Sequence, residues 1–247
     1  MQKFFVESNQ IKNGKIEITN EDTKHITNVL HMKKSEKIQI GNKETLETYL
    51  VEIEEIGKDK IITNILEKLE GQTESNVEID LYQGLPKADK MELIIQKTTE
   101  IGINKIIPVE MLRCVVKLDE KDGKKKIERW QKISESAAKQ SKRNKIPVVE
   151  NKIKLKEIIN RINQYDTFII AYEEEQKNTL KNELKQIKKS DKYKIGILIG
   201  PEGGIDKEEI ELLKQNNAKV VTLGKRILRT ETAPINMTSN IIYELEM

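Results

Sequence analysis

Two rhythms of apolar and polar residues divide this chain. Up to about residue 69 the apolar positions come in short alternating runs, at 4–6, 15–18, 38–40, 49–56 and 61–66. Turn signals at Asn13-Gly14, Gly41-Asn42 and Gly57-Lys58 separate them. Period-two alternation sorts side chains onto the two faces of a strand, so this part predicts a small β-barrel, interrupted by a helical turn or two at 23–30. A polar, glycine-containing break, GQTESN at 71–76, follows. The rhythm then changes. Apolar runs at 77–83, 105–109, 167–172, 194–199 and 219–223 interleave with helical periods at 89–101, 124–142, 155–163, 177–188 and 206–215, and a last helix begins near Thr232. Alternating strands and helices imply βαβ units, a mostly parallel sheet and the α/β class. The predicted organisation is a barrel over 1–70, a linker over 71–76 and an α/β domain over 77–247. No internal repeat is visible, and the Lys/Glu-rich stretch 173–192 reads as surface helices.

Charge sharpens the division. Residues 1–70 carry 11 Lys and Arg against 13 Asp and Glu, a net −2, whereas 113–145 carry 12 against 5, a net +7. A concentrated basic stretch is the footprint expected for nucleic acid, because cations near phosphates release condensed counterions; a solvated helix face is the alternative. Cys114 is the only cysteine, and His25 and His31 are the only histidines. That excludes an intramolecular disulfide and disfavours a zinc or iron centre, so a metal-free protein is expected. No run has the length of a membrane span and the first residues lack the apolar core of a signal peptide, so the expectation is a cytoplasmic protein with no membrane partner.

Candidate chemistry concentrates in two loops, IGPEGG at 199–204 and LGKRILRTETA at 223–233, each after an apolar run. Both should leave the carboxyl edge of one sheet, where open α/β folds bind ligands. Gly200, Gly203, Gly204 and Gly224 would allow φ > 0 and close approach of the main chain to a small molecule. Asp206 and Glu209 fit a capping box, so the first loop runs straight into a helix N-terminus, suited to a polar cofactor. Neither a Walker A ending nor G-x-G-x-x-G is present, which lowers the case for ATP hydrolysis and nicotinamide redox chemistry. In the second loop Arg229 and Glu231 admit two roles, substrate chemistry or capping of the last helix. Trp130, Ile133 and Ala137 follow i, i+3, i+7 spacing and read as core.

These motifs resemble the 16S ribosomal RNA uracil-N3 methyltransferase family, within the SPOUT class of knotted methyltransferases. The likeness extends to KADKMELIIQKTTEIG at 87–102, Arg113-Cys114-Val115-Val116, RWQKISESAAKQSKR at 129–143, Phe4-Phe5-Val6 and HITNVL at 25–30. It implies an S-adenosylmethionine-dependent enzyme acting on one uridine of 16S rRNA in the decoding region, on free rRNA or the 30S particle. It also implies a PUA-like N-terminal β-barrel, a trefoil-knotted C-terminal domain and a homodimer. By the same resemblance Ala171, Tyr172, Ile199, Gly200, Glu202, Gly203, Gly204, Leu223, Gly224, Ile227, Leu228 and Arg229 line the cofactor site. Arg229 is the expected stabiliser of negative charge on uracil, and Glu231 a candidate proton acceptor. Arg113, Lys117, Arg129, Lys139, Lys142 and Arg143 form the expected RNA-facing set, with Arg129, Lys132, Lys139 and Arg143 sharing one helix face. Lys87, Lys90 and Gln96-Lys97 either extend that set or lie on a solvated face. The chain departs from the family where arginines commonly precede FFV and follow HxxxVL; here stand Gln2-Lys3 and His31, which weakens the expected grip of the barrel on RNA. Two rivals stay open: the same fold with another RNA target, and a non-catalytic ribosome-assembly factor.

Overall fold

The computed structural model describes residues 1–71, 73–187 and 192–246. Its contacts divide the chain into two compact units, Met1–Glu74 with Ala138–Ile146, and Ser75–Ala137 with the chain from Pro147 onward.

The first unit contains β1 (Lys3–Val6), β2 (Ile11–Lys12), β3 (Lys15–Thr19), the short α1 (Glu21–Lys24), β4 (Lys37–Asn42), β5 (Thr48–Ile56) and β6 (Lys60–Leu69). The strands follow the period-two runs of the sequence, and α1 continues into a wider helical turn over His25–Val29. The sheet order is β1-β4-β5-β6-β3-β2, antiparallel except for the parallel β1–β4 pair. Register shifts between Leu50 and Val51 and between Ile53 and Glu55 bend the longest pair. In its hydrogen bonding the expected barrel is thus a six-stranded sheet with β1 and β2 as end strands. Phe4, Val6, Ile16, Ile18, Ile38, Ile40, Val51, Ile53 and Ile61 fill its core.

The second unit contains β7 (Val77–Gly84), α2 (Lys90–Ile101), β8 (Lys105–Glu110), α3 (Glu120–Gln140), whose last residues belong to the first unit, β9 (Val148–Val149), β10 (Ile153–Lys154), α4 (Leu155–Ile162) and β11 (Thr167–Ala171). It closes with α5 (Leu180–Leu184), β12 (Tyr193–Ile199), α6 (Lys207–Gln215), β13 (Lys219–Val221) and α7 (Thr232–Glu246). All pairings are parallel, in the order β10-β8-β7-β12-β11-β13, with β9 also on β8. Strands buried on both faces need continuous apolar runs, and β12 (YKIGILI) and β11 (TFIIA) have them. Trp130 and Ala137 are buried and Ile133 packs on the same core, as their spacing predicts.

Two helices differ most from expectation. The helix placed at 124–142 begins at Glu120 and ends at Gln140, and Lys142 turns out of it with φ +60°. Of 177–188 only Leu180–Leu184 is helical, because Thr179 caps it and Glu175 accepts the N–H groups of Lys177 and Asn178 in a turn. Lys188 lies outside the described residues, as does Gln72 of the polar break. The two short strands β9 and β10 were too brief to leave a period in the sequence. Among the described residues no helix is long and apolar enough to cross a membrane.

Candidate functional site

Strand β7 continues through α2 to β8 on one side, while β12, β11 and β13 lie on the other, so the chain switches direction across the sheet between β7 and β12. Ligands of open α/β sheets bind at such a switch point. Three chain segments meet there: 171–172 after β11, 199–204 after β12 and 222–231 after β13. Tyr172 N–H donates to Val221 O at 3.0 Å, which joins the first segment to the end of β13, where the third begins.

Of the four glycines, Gly204 (φ +72°) and Gly224 (φ +128°) have the left-handed backbone expected. At Gly200 the requirement is room instead, since a Cβ would lie 2.8 Å from Ile205 Cγ1. The capping box is present: Asp206 Oδ1 accepts from Glu208 N–H at 3.0 Å, and Glu209 Oε2 from Asp206 N–H at 3.3 Å. Asp206 also pairs with Arg113 Nη2 at 3.1 Å, and the Arg113 Nη1 group donates to Gly203 O at 3.2 Å. The start of α6 is therefore occupied by the protein's own carboxylate, a correction to the expectation that it offers free N–H groups to a cofactor.

The second loop is pinned to the first by one hydroxyl. Thr230 Oγ1 donates to Gly200 O at 2.7 Å and accepts from Gln83 Nε2 at 3.1 Å. Gln83 is fully buried, donates also to Gly84 O, and leaves its own Oε1 without a partner. Arg229 O accepts the N–H groups of Thr232 and Ala233, so the backbone of Arg229 starts α7 while its side chain is 83% exposed. Its Nη1 lies 3.9 Å from Glu231 Oε1. Glu231 is mostly buried, and Lys90 Nζ stands 3.5 Å from its Oε2 and 2.8 Å from Glu202 Oε1. Glu202 Oε1 accepts from Lys87 N–H as well. Burial pushes the Glu202 carboxyl up, but the Lys90 ammonium and the backbone donors outweigh it and hold the group below its usual range. The same hydrogen bond raises Lys90.

These residues fit S-adenosylmethionine on the geometry of the edge. Nothing lies within 4 Å of where a Cβ would stand on Gly224, Ile227 is 85% exposed, and Leu223 and Leu228 are half-buried against the core. Open backbone beside bare apolar walls suits an adenosine, and carboxylates on the same edge suit a cationic sulfonium.

The six basic residues expected to face RNA do not share one surface role. Lys117 and Lys142 are exposed, and Arg129 is exposed beside Glu92, with Nε 2.9 Å from Oε1. Arg113 braces the glycine loop. Lys139 pairs with Asp22 at 2.7 Å and lies over the Phe4 ring. Arg143 is buried, 5% exposed, and its guanidinium is held by Glu74. The shared face of Arg129, Lys132, Lys139 and Arg143 does not form, because α3 ends before Arg143. Lys3 is buried too, donating to Thr48 Oγ1 at 2.9 Å and Asn144 Oδ1 at 2.7 Å. Sequence reasoning missed Gln83 and Thr230 as a pair and misplaced Lys90. A polar residue ending the apolar run of β7 was the only local signal for Gln83.

Comparison with known proteins fits this geometry. Residues 73–242 match an RNA methyltransferase domain family, and 18–66 match an RNA methyltransferase PUA domain family. The chain is 38% identical over 252 residues to ribosomal RNA small subunit methyltransferase E of Bacillus subtilis (strain 168), covering all of this chain and 98% of that one. A crystal structure described as that of a hypothetical protein superposes with a TM-score of 0.91 at 35% identity, over 99% of each chain. A ribosomal RNA small subunit methyltransferase E from Neisseria gonorrhoeae, bound to S-adenosyl methionine, gives 0.86 at 28% identity, over 98% of this chain and 97% of that one.

Proposed function

This chain belongs to the ribosomal RNA small subunit methyltransferase E family, and on that premise we propose that it methylates N3 of one uridine in the decoding region of 16S rRNA. The observation that carries the reading is the meeting of 199–204, 222–231 and the exposed Arg229 side chain at one sheet edge. The enzyme is S-adenosylmethionine-dependent, and the cofactor when bound supplies an electrophilic methyl group. Ala171, Tyr172, Ile199, Gly200, Glu202, Gly203, Gly204, Leu223, Gly224, Ile227, Leu228 and Arg229 hold it.

The imide nitrogen of uracil is a poor nucleophile until it loses its proton, so the protein must favour the anion and orient N3. Arg229 is always protonated and presents a planar fork of donors, which suits the uracil oxygens as negative charge develops on them. In this reading Glu231, on the same loop, accepts the N3 proton. Lys117, Lys142 and Arg129 supply phosphate contacts, with Arg113 beside the loop; Lys139 and Arg143 have structural partners and serve the fold. Residues 1–70 grip RNA as a PUA-like domain, 71–76 link, and 77–247 form the SPOUT methyltransferase domain, although 138–146 pack with the first unit.

The chain path supports a trefoil knot: after β13 it returns to the switch point between β7 and β12, where Thr230 is bonded to both, before α7 leaves. A homodimer through α7, whose Tyr243 is 68% exposed, and the 30S particle in the cytoplasm as substrate complete the proposal. The test is transfer of label from tritiated S-adenosylmethionine to 30S particles lacking the modification, followed by nucleoside analysis. Label in 3-methyluridine of 16S rRNA is the expected result. Label in another nucleoside or RNA would move the target, and cofactor binding with no transfer to any RNA would favour the assembly-factor reading.

A further inference from the structure

We propose that Lys90 is a positioning residue for methyl transfer, which holds the Glu231 carboxylate in place while Arg229 engages the substrate. The proposal rests on the reading of this edge as the methyltransferase site. Lys90 is the first residue of α2, and its ammonium stands between carboxylates from two different loops, Glu202 of the first and Glu231 of the second. Glu202 Oε1 accepts from Lys87 N–H as well as from Lys90 Nζ, so the ammonium is anchored at one end.

Glu231 has little else to hold it. Its side chain is 15% exposed, its Oε2 has no hydrogen-bond partner, and it meets Lys90 there only as an ion pair at 3.5 Å. The other cation near it, Arg229, is 83% exposed and pairs with Glu231 Oε1 at 3.9 Å, a longer and more solvated contact than that of Lys90. A mostly buried carboxylate without a counter-charge is costly. When Arg229 turns to uracil oxygens, Lys90 remains as the cation beside the Glu231 carboxylate and keeps it aimed. The two cations thus divide the work: Lys90 faces the protein's carboxylates and Arg229 faces the substrate. A plain structural ion pair would instead contribute little to stability and nothing to turnover.

The test compares wild type, Lys90→Met and Lys90→Arg, reading kcat and KM with 30S particles, S-adenosylmethionine affinity by calorimetry and the thermal midpoint. Lys90→Met should lower kcat about 10- to 100-fold, the range of a misplaced proton-transfer group. KM for 30S particles should stay within about twofold, and any loss of cofactor affinity, which would come through Glu202, should be much smaller than the loss in kcat, since turnover depends on the aim of Glu231. Lys90→Arg, which keeps the charge, should restore most of the loss. In a Glu231→Gln background Lys90→Met should add no further loss, because residues acting as a unit are non-additive. Unchanged kcat in Lys90→Met, a parallel loss of cofactor affinity, no recovery with arginine, or a full additional loss in the Glu231→Gln background would each overturn the assignment. Wild type without transfer to any RNA would overturn the functional reading itself, and this assignment with it; an active wild type beside an unaffected Lys90→Met would overturn this assignment alone.

Discussion

The two units use their cations in opposite ways. In the first, Lys3, Lys139 and Arg143 turn inward: Lys3 to Thr48 and Asn144, Lys139 to Asp22 and the Phe4 ring, Arg143 to Glu74. In the second, at the carboxyl edge of the sheet, Arg229 stays in solvent while its backbone starts a helix. A basic count along the chain therefore overstates the basic surface of one unit and misses how few cations the other needs. What distinguishes Arg229 from Lys3, Lys139 and Arg143 is exposure: its contact with Glu231 at 3.9 Å leaves the guanidinium in solvent.

The comparison can be broken or sharpened by substitution. The largest effect is expected from Arg143→Met, which leaves the partly buried Glu74 without its guanidinium; removing one partner of a buried pair costs about 3–5 kcal/mol, and the 19% exposure of Glu74 places this loss at the lower end of that range. A denaturation curve should show a destabilised protein, and near-wild-type stability would mean that Arg143 is not the keystone of its unit. Arg229→Ala should do the reverse, leaving folding and most cofactor affinity intact while lowering kcat about 10²- to 10³-fold, as for loss of one charge-stabilising donor. Single-turnover methyl transfer checks it, and near-normal turnover would reject the role of this arginine. Thr230→Val removes the hydroxyl joining Gly200 O and Gln83, and each buried group left unsatisfied costs about 1–3 kcal/mol. Its thermal midpoint should fall below wild type, whereas an unchanged midpoint would show that the loops hold without this pin.

The smallest effect belongs to Lys3. Burial depresses its ammonium from 10.5 to about 8, against the opposing pull of Glu74. Below about pH 8 Lys3 is protonated folded and unfolded, so it adds no slope. Between about 8 and 10.5 the unfolded chain binds a proton that the folded chain does not, and stability rises with pH through that window. Midpoints measured from pH 7 to 10 for wild type and Lys3→Met should diverge above pH 8, and parallel curves would contradict the burial.

Much of this was legible beforehand, for identifiable reasons. The strands of both sheets follow local periods, and the capping box at Asp206 and Glu209 is a four-residue signal. Gly204 and Gly224 mark left-handed backbone that few other residues tolerate. The short helix α5 was overcalled because a Lys/Glu-rich stretch has helical composition whether or not the turn at Glu175 and Thr179 leaves room for it. The occupied N-terminus of α6 was misread for a related reason, since the capping side chain that predicts the helix also takes up its N–H groups.

The sequence by itself determined the α/β order, the sheet edge at which the loops emerge and the glycines in them, because each depends on residues within a turn or a strand of one another. Only the tertiary structure decided where the long cations go. Arg143 finds Glu74 across 69 residues, Lys90 finds Glu202 across 112 and Lys139 finds Asp22 across 117. A lysine or arginine stem reaches in many directions at little cost, so its partner is chosen by which carboxylate the folded chain brings within reach, and no local pattern records that choice.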